Sequence, residues 1–210
     1  TEVGEMGVRV STDGTELLVV RALHPEAPST TETIFRATLT LDGNTFVDRG
    51  PVVELNTPGG NNHGPAFSGD DRTVFFSSDR PGGRGLSDVW YATRPSREEP
   101  FSAPVPLEAV NTPDNEGSPV PTDSLLELYL TRGPDTRDDI YVSRRESRDA
   151  PFGPPTRVTP LNTDIMDVFS PQPDGRFGLV FRRSRVPGME DLNPLPTDQE
   201  IWVTRRSCAR

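Results

Sequence analysis

The sequence predicts an all-β protein, a β-propeller made of four blade repeats. A common pattern recurs about every fifty residues, which indicates an array of similar supersecondary units. The repeats span approximately 1–54, 55–109, 110–160 and 161–210, so a single domain is expected. Pro and Gly make up about a fifth of the chain and fall between short apolar runs, as in strands joined by tight turns. No long segment has the 3.6-residue periodicity of a helical repeat.

Each repeat begins with a short strand that ends in a turn containing Asp. The turn pairs are Asp13-Gly14, Asp70-Asp71, Asp123-Ser124 and Asp174-Gly175. Gly accepts a positive φ, and the Asp side chain can bond to its own backbone, so these pairs favour tight hairpin turns. The apolar run after each turn is the predicted second strand.

The third strand of each repeat carries Ile or Val followed by an aromatic residue. The pairs are Ile34-Phe35, Val89-Trp90, Ile140-Tyr141 and Ile201-Trp202. Because propeller blades stack face to face, we expect these aromatic side chains to lie between neighbouring blades. A fourth strand is predicted around 46–53, 101–107 and 152–158. Each of these segments contains Pro, which cannot donate to a ladder and therefore favours an outer edge.

The fourth repeat lacks a predicted fourth strand. Two interpretations follow: a three-stranded last blade in a small four-bladed ring, or a segment of a larger propeller. Propellers usually close when one terminus completes the blade begun by the other, and neither end supplies that strand here. The sequence therefore favours the segment.

Composition narrows the classes of partner and cofactor. The net charge is −10 and every basic residue apart from the two histidines is Arg, so binding to nucleic acid or to an anionic membrane surface is not expected. No stretch approaches the roughly 20 apolar residues of a membrane-spanning helix. The one cysteine, Cys208, can form neither an internal disulfide nor a metal cluster by itself.

The connections between the second and third strands indicate which face could bind a partner. They differ widely in length and sequence, at 22–32, 81–87, 133–138 and 186–199. The last contains Glu190 and Asp191. Variable loops carry function more often than frameworks do, so the face with these connections is the predicted binding face.

A mostly acidic ring is predicted on the same face, near the mouth of the central channel. Its members lie seven residues before each turn aspartate: Met6, His63, Glu116 and Asp167, with Glu5 beside the first. Converging carboxylates suit a hard cation such as calcium, or a basic peptide group. The alternative is that each residue caps its own loop by bonding local backbone amides.

The remaining polar candidates favour structural roles. Asp88 and Asp139 open third strands and could pair across the hairpin with Arg80 and Arg132. The sequence contains no Gly-x-Ser-x-Gly nucleophile elbow, no His-Glu-x-x-His zinc site and no phosphate-binding loop. A catalytic activity and a cofactor, calcium apart, are therefore not expected.

The repeat pattern resembles the TolB-type, WD-repeat-like propeller repeat. The resemblance rests on Ser-x-x-Asp, an apolar run, Ser-x-Arg, a Gly-rich turn and Asp-Ile/Val-aromatic, and 65–71 with 77–85 match best. It implies a noncatalytic, periplasmic or extracellular scaffold that binds a protein or a cell-envelope component through the predicted binding face. The family also contains propeller domains of serine peptidases. The alternative function is therefore the propeller of a hydrolase, either a glycan-active enzyme or the gating domain of a peptidase.

Overall fold

The protein is all-β in the computed structural model, which describes residues 3–23, 31–133, 139–159, 166–171, 177–183 and 199–205. These residues form four antiparallel sheets and contain no α-helix. The first sheet contains β1 (Val3–Val10), β2 (Glu16–Leu23), β3 (Thr31–Leu39) and β4 (Phe46–Pro51). The second contains β5 (Asn62–Phe67), β6 (Thr73–Ser78), β7 (Asp88–Thr93) and β8 (Val105–Pro106). The third contains β9 (Asn115–Pro121), β10 (Glu127–Gly133), β11 (Asp139–Arg144) and β12 (Thr156–Arg157). The fourth contains β13 (Met166–Pro171), β14 (Phe177–Arg183) and β15 (Gln199–Arg205).

Strands follow one another across each sheet in chain order, and consecutive sheets stack through their first strands. Strand β5 contacts β1, β2 and β3, while β9 contacts β5, β6 and β7. Strand β13 contacts β9, β10 and β11. The first strands β1, β5, β9 and β13 are therefore the innermost strands of successive blades, as the repeat predicts.

Apolar side chains fill the spaces between sheets. Leu18, Val20 and Ile34 pack against Phe76 and Trp90 in the first interface. In the second interface the buried side chains are Phe75, Val89, Leu128, Leu130 and Phe152. Burial of one such side chain stabilises the fold by about 1.5–3 kcal/mol, so these contacts hold the sheets together. The expected place of the third-strand aromatic between blades is confirmed for Trp90, which is 5% exposed.

The fourth strands lie at the outer edges, as their proline content predicts, but two of them are very short. Strands β8 and β12 contain two residues each. The Asn that follows in the repeat bonds to the third strand instead. Asn111 Oδ1 accepts a bond from Val89 N (2.9 Å), and its Nδ2 donates to Val89 O (3.0 Å). Asn56 makes the equivalent bonds to Ile34, which explains why Asn recurs at this place.

The three first-to-second-strand turns that the structure describes share one geometry, and the predicted pair Asp174-Gly175 lies outside the described residues. Ser68 Oγ donates to Asp70 Oδ1 (2.6 Å) and accepts a bond from Thr73 N (2.9 Å). Ser11 and Asp13 make the matching bonds in the first sheet. The next position has a positive φ in each turn: 75° at Gly14, 56° at Asp71 and 59° at Leu125.

The predicted position of the third turn was wrong by one residue. Thr122 and Ser124 take the places of Ser68 and Asp70, and Leu125 takes the place of Asp71. The predicted pair Asp123-Ser124 therefore lies one residue too early. A buried Leu in the left-handed region masks the expected Gly or Asp signal, because its packing offsets the backbone cost.

Candidate functional site

Backbone register identifies the equivalent positions on the innermost strands. In each sheet one residue of the first strand pairs with the equivalent residue of the second strand. These pairs are Glu5 with Arg21, Asn62 with Ser78, Glu116 with Arg132 and Asp167 with Arg182. His63, by contrast, lies opposite Ser77 and is equivalent to Gly7 and Gly117. The predicted ring, which was based on a seven-residue spacing, therefore combined residues from two different register positions along the first strands. The reason is that the third turn is shifted and the strands contain bulges.

Glu116 is fully buried, and its carboxylate has local partners. Arg132 Nε donates to Oε1 at 2.8 Å, Thr112 N donates to Oε2 at 3.0 Å, and Thr112 Oγ1 donates to Oε1 at 2.5 Å. Burial raises the pKa of Glu116, while the Thr112 bonds and Arg132 act in the opposite direction. Through the bonds from Thr112, Glu116 caps its own loop, as in the alternative to a cation site that the sequence left open.

The equivalent positions in the first two sheets also have arginine partners. Glu5 lies 3.4 Å from Arg21 Nε, at the exposed end of the first sheet. In the second sheet Asn62 accepts a bond from Arg80 Nη2 (2.6 Å), which also donates to Leu55 O. Burial lowers the pKa of Arg80 to about 10.

The predicted pairs of Asp88 with Arg80 and of Asp139 with Arg132 are wrong. Both arginines turn inward, toward the first strand of their own sheet. Asp88 instead accepts bonds from the backbone amides of Arg84 (2.8 Å) and Gly85 (3.1 Å). Asp139 pairs with Arg157 at 2.8 Å.

His63 lies in a pocket between the innermost strands, which we call the axial pocket. Its Nδ1 is 3.3 Å from Glu32 Oε2. The pocket has a volume of about 370 Å³. Its lining comes from the first three sheets: Gly7, Val8, Arg9, Val20, Glu32, His63, Gly64, Pro65 and Ser118.

Arg9 is the cation of the axial pocket. No hydrogen bond or carboxylate partner reaches its guanidinium from the described residues. Burial lowers its pKa, because the charged form has lost part of its hydration. The equivalent positions are Ala66 and Val120, so Arg9 interrupts an otherwise apolar repeat position. That interruption is the sequence signal for this site, although Arg9 belongs to none of the predicted motifs.

The other predicted binding residues are only partly placed. Backbone register puts Asp167 opposite Arg182 on β13. Glu190 and Asp191 lie outside the described residues, together with most of the fourth variable connection.

The described part of the chain was predicted to hold no metal apart from calcium and to cross no membrane. There, His, Cys, Asp and Glu side chains form no group of three or more that could hold a metal ion, and calcium binding stays a prediction. The same residues include no helix long and apolar enough to cross a membrane.

Comparisons with known proteins reveal similarity in structure but not in sequence. No protein-family model matches the chain, and curated proteins give no sequence match. TolB from Acinetobacter baumannii is similar in structure, with a TM-score of 0.56 and 13% identity over 96% of this chain. A putative TolB from Agrobacterium tumefaciens has a TM-score of 0.50 and 13% identity over 98% of this chain. One of the structures from a study of two prolyl endopeptidases has a TM-score of 0.51 and 15% identity over 98% of this chain.

The aligned regions are parts of larger proteins in several cases. The chain spans 41% of the Acinetobacter protein, 28% of the prolyl endopeptidase and 78% of the Agrobacterium protein. At these identities the similarity concerns the fold alone. The sheet order, the stacking of first strands and these structural neighbours together show that the chain has a TolB-like β-propeller fold.

Proposed function

We propose that the protein is a noncatalytic, secreted or periplasmic scaffold that binds a protein or cell-envelope component around its axial pocket. The observation that supports this most is Arg9, a partly buried cation without a partner among the described residues. The resemblance of the repeat to TolB-type propellers supports the location and the scaffold role.

The polarity of the pocket favours an acidic group on the partner. Glu5 and Glu116 already have arginine partners, so they are poor ligands for a cation or a basic peptide group. Arg9 can donate charge-assisted hydrogen bonds, which contribute about 1.5–3 kcal/mol each. A single carboxylate or phosphate of the partner would restore the interactions that the guanidinium lost on burial.

Two members of the pocket lie toward the face with the variable connections. Glu32 ends the first of those connections and is the second residue of β3, and His63 is the second residue of β5. Arg9 is the second-last residue of β1 and lies further along the axis, toward the Asp-containing turns. The pocket walls are strands of three packed sheets, so Arg9 and His63 are held on rigid elements. The net charge of −10 would repel a strongly acidic partner. The partner is therefore expected to present one acidic group on a neutral or basic surface.

Quantitative affinity capture tests this proposal. Immobilised wild type, Arg9→Gln and Arg49→Gln would each be incubated with envelope extract of the source organism. Arg49→Gln is the matched control, since it removes the same charge from an exposed side chain bonded to Thr38. We expect an envelope component that wild type and Arg49→Gln recover equally and that Arg9→Gln recovers about tenfold less. Equal recovery by all three would contradict the proposal.

A substrate screen tests the noncatalytic part separately. Chromogenic glycosides and peptides should show no turnover above a heat-denatured control. Turnover that is lost in His63→Ala or Glu32→Gln would favour the hydrolase alternative instead.

A further inference from the structure

A second cavity lies between the second and third sheets, away from the axial pocket. Its volume is about 710 Å³, within the range of about 300–1,000 Å³ that small-molecule sites occupy. The walls include Phe75, Tyr91, Leu107 and Phe152. The Phe75 ring lies 6.1 Å from Tyr91 and packs edge to face with Phe152 at 6.3 Å. The cavity therefore offers an aromatic, largely apolar surface.

Arg145 lines this cavity, and it occupies the same position in the third repeat as Arg94 does in the second. The backbone N of Arg145 donates to Leu126 O, and that of Arg94 donates to Arg72 O. Arg145 Nε donates to Leu125 O at 2.6 Å, and Arg94 Nε donates to Asp71 O at 2.9 Å. The guanidinium stacks on Phe152 in one case and on Phe101 in the other. The two arginines are thus structural equivalents.

Their terminal nitrogens differ in one respect. Those of Arg94 bind both carboxylate oxygens of Glu16, at 3.2 and 2.8 Å. The residue equivalent to Glu16 in the second sheet is Thr73, which is too short to supply a carboxylate. Among the described residues, no atom accepts a hydrogen bond from Arg145 Nη1 or Nη2. Both interfaces contain a cavity at this place, about 340 Å³ beside Arg94 and about 710 Å³ beside Arg145, but only Arg94 is bonded to an internal carboxylate.

The other charged groups of the cavity are already engaged or lie at its rim. Arg148 contacts Asp70 and donates to the carbonyl oxygens of Asp123 and Ser124. Asp149 and Glu108 are exposed. Burial lowers the pKa of Arg145 and the charge of Arg148 acts in the same direction, while exposed Asp149 acts in the opposite direction without a hydrogen bond to the guanidinium.

We propose that this cavity binds a small organic acid with an aromatic or aliphatic body. The ligand carboxylate pairs with Arg145, as Glu16 does with Arg94, and the apolar body packs among Phe75, Tyr91 and Phe152. This site shares no lining residue with the axial pocket, so the proposal does not depend on the proposed function.

Calorimetric titration with matched probes tests the proposal. The probes are phenylacetate, 4-phenylbutyrate and octanoate, each compared with its uncharged primary amide. We expect saturable binding of at least one acid with one site per chain, and binding of its amide about tenfold weaker or worse. Arg145→Gln should weaken binding of the acid by a similar factor, whereas Arg49→Gln should leave it unchanged.

Thr73→Glu supplies a second, independent variant. It recreates the internal carboxylate of the first interface, so it should block binding of the acid and raise the melting temperature. Three results would overturn the proposal: no saturable binding of any acid, equal binding of acid and amide, or unchanged binding in Arg145→Gln. If neither variant folds, the comparison of acid with amide on the wild type decides.

Discussion

At the scale of single residues, a comparison of Arg94 with Arg145 measures how much a buried carboxylate partner contributes to stability. The side chains of Arg94 and Glu16 are 1% and 3% exposed, and their nitrogen and oxygen atoms lie 2.8 Å apart. Removing one member of such a pair leaves an uncompensated charge in the core. Glu16 keeps Arg36 at 2.8 Å, so part of that charge remains balanced.

Arg94→Met should therefore lower the free energy of unfolding by about 3 kcal/mol, the low end for a broken buried pair. Arg145→Met loses the stacking on Phe152 and the bond to Leu125 O but no hydrogen-bonded carboxylate, and should cost about 1 kcal/mol. Urea denaturation of both variants measures the difference. Equal losses would show that Glu16 contributes nothing to the stability of the first interface.

Asp13 predicts a pH dependence of stability. The hydrogen bond from Arg97 holds the pKa of Asp13 well below its ordinary value of 3.8, and the bonds from Thr15 and Ser11 act in the same direction. A depressed pKa in the folded state adds stability above the unfolded value, and that stability is lost as the pH falls below about 4.

Asp13→Asn should accordingly lower the urea midpoint at neutral pH and make the decline between about pH 5 and pH 2 shallower. Asp42→Asn is a comparison without an arginine: hydrogen bonds from Thr40 and Asn44 also lower the pKa of Asp42, so this variant should make the decline shallower, but by less than Asp13→Asn. A decline that is as steep in Asp13→Asn as in the wild type would rule out this pair as a source of acid sensitivity.

The contacts of individual side chains were harder to predict from the sequence than the strands and sheets. Spacing located His63 and Glu116 but could not show that Glu116 bonds to Arg132 and Thr112, because strand register decides which side chains meet. Arg9 was missed since it belongs to no motif. Its significance appears only when β1 is placed beside β5 and the equivalent Ala66 is known.

At the scale of elements, a side chain replaces part of the outermost ladder. Strands β8 and β12 are too short to pair with the whole third strand, and Asn111 bonds to both the N–H and the C=O of Val89. Val89 is fully buried and its C=O also accepts a bond from Leu107 N, so it is the Val89 N–H that would be unsatisfied without Asn111.

Asn111→Leu should lower the free energy of unfolding by about 1–3 kcal/mol, because the buried Val89 N–H loses its hydrogen-bond acceptor while Val89 O keeps only the bond from Leu107 N. Asn44→Leu is the control, since Asn44 is exposed in a turn and should change stability by less than about 0.5 kcal/mol. Urea denaturation checks both values. A loss for Asn111→Leu no larger than that for the control would contradict this role of the recurring Asn.

Elements were predicted well where local chemistry is strong. Short apolar runs, Asp-containing turns and edge prolines predicted the order of the strands in each sheet. The third turn was misplaced because Leu125 adopts a positive φ of 59°, which local propensity does not predict for Leu. Burial of Leu125 among the second and third sheets accounts for that conformation, and such tertiary contacts cannot be read from a single repeat.

For the whole molecule, the repeat creates equivalent positions and single substitutions give them different chemistry. Glu16 in the first interface becomes Thr73 in the next, and the apolar position of Ala66 is Arg9 in the first blade. Of the predicted acidic ring, Glu5 and Glu116 have arginine partners, whereas Arg9 of the axial pocket has no carboxylate partner among the described residues. The fold followed from what the repeats share, whereas both proposed sites follow from where the repeats differ.

The affinity of the captured partner for purified wild type and Arg9→Gln tests the proposed scaffold role most directly. Isothermal titration should show binding about tenfold weaker to Arg9→Gln, with no change for Arg145→Gln, because the two sites share no residue. Equal affinity of the wild type and Arg9→Gln would contradict recognition through the axial pocket.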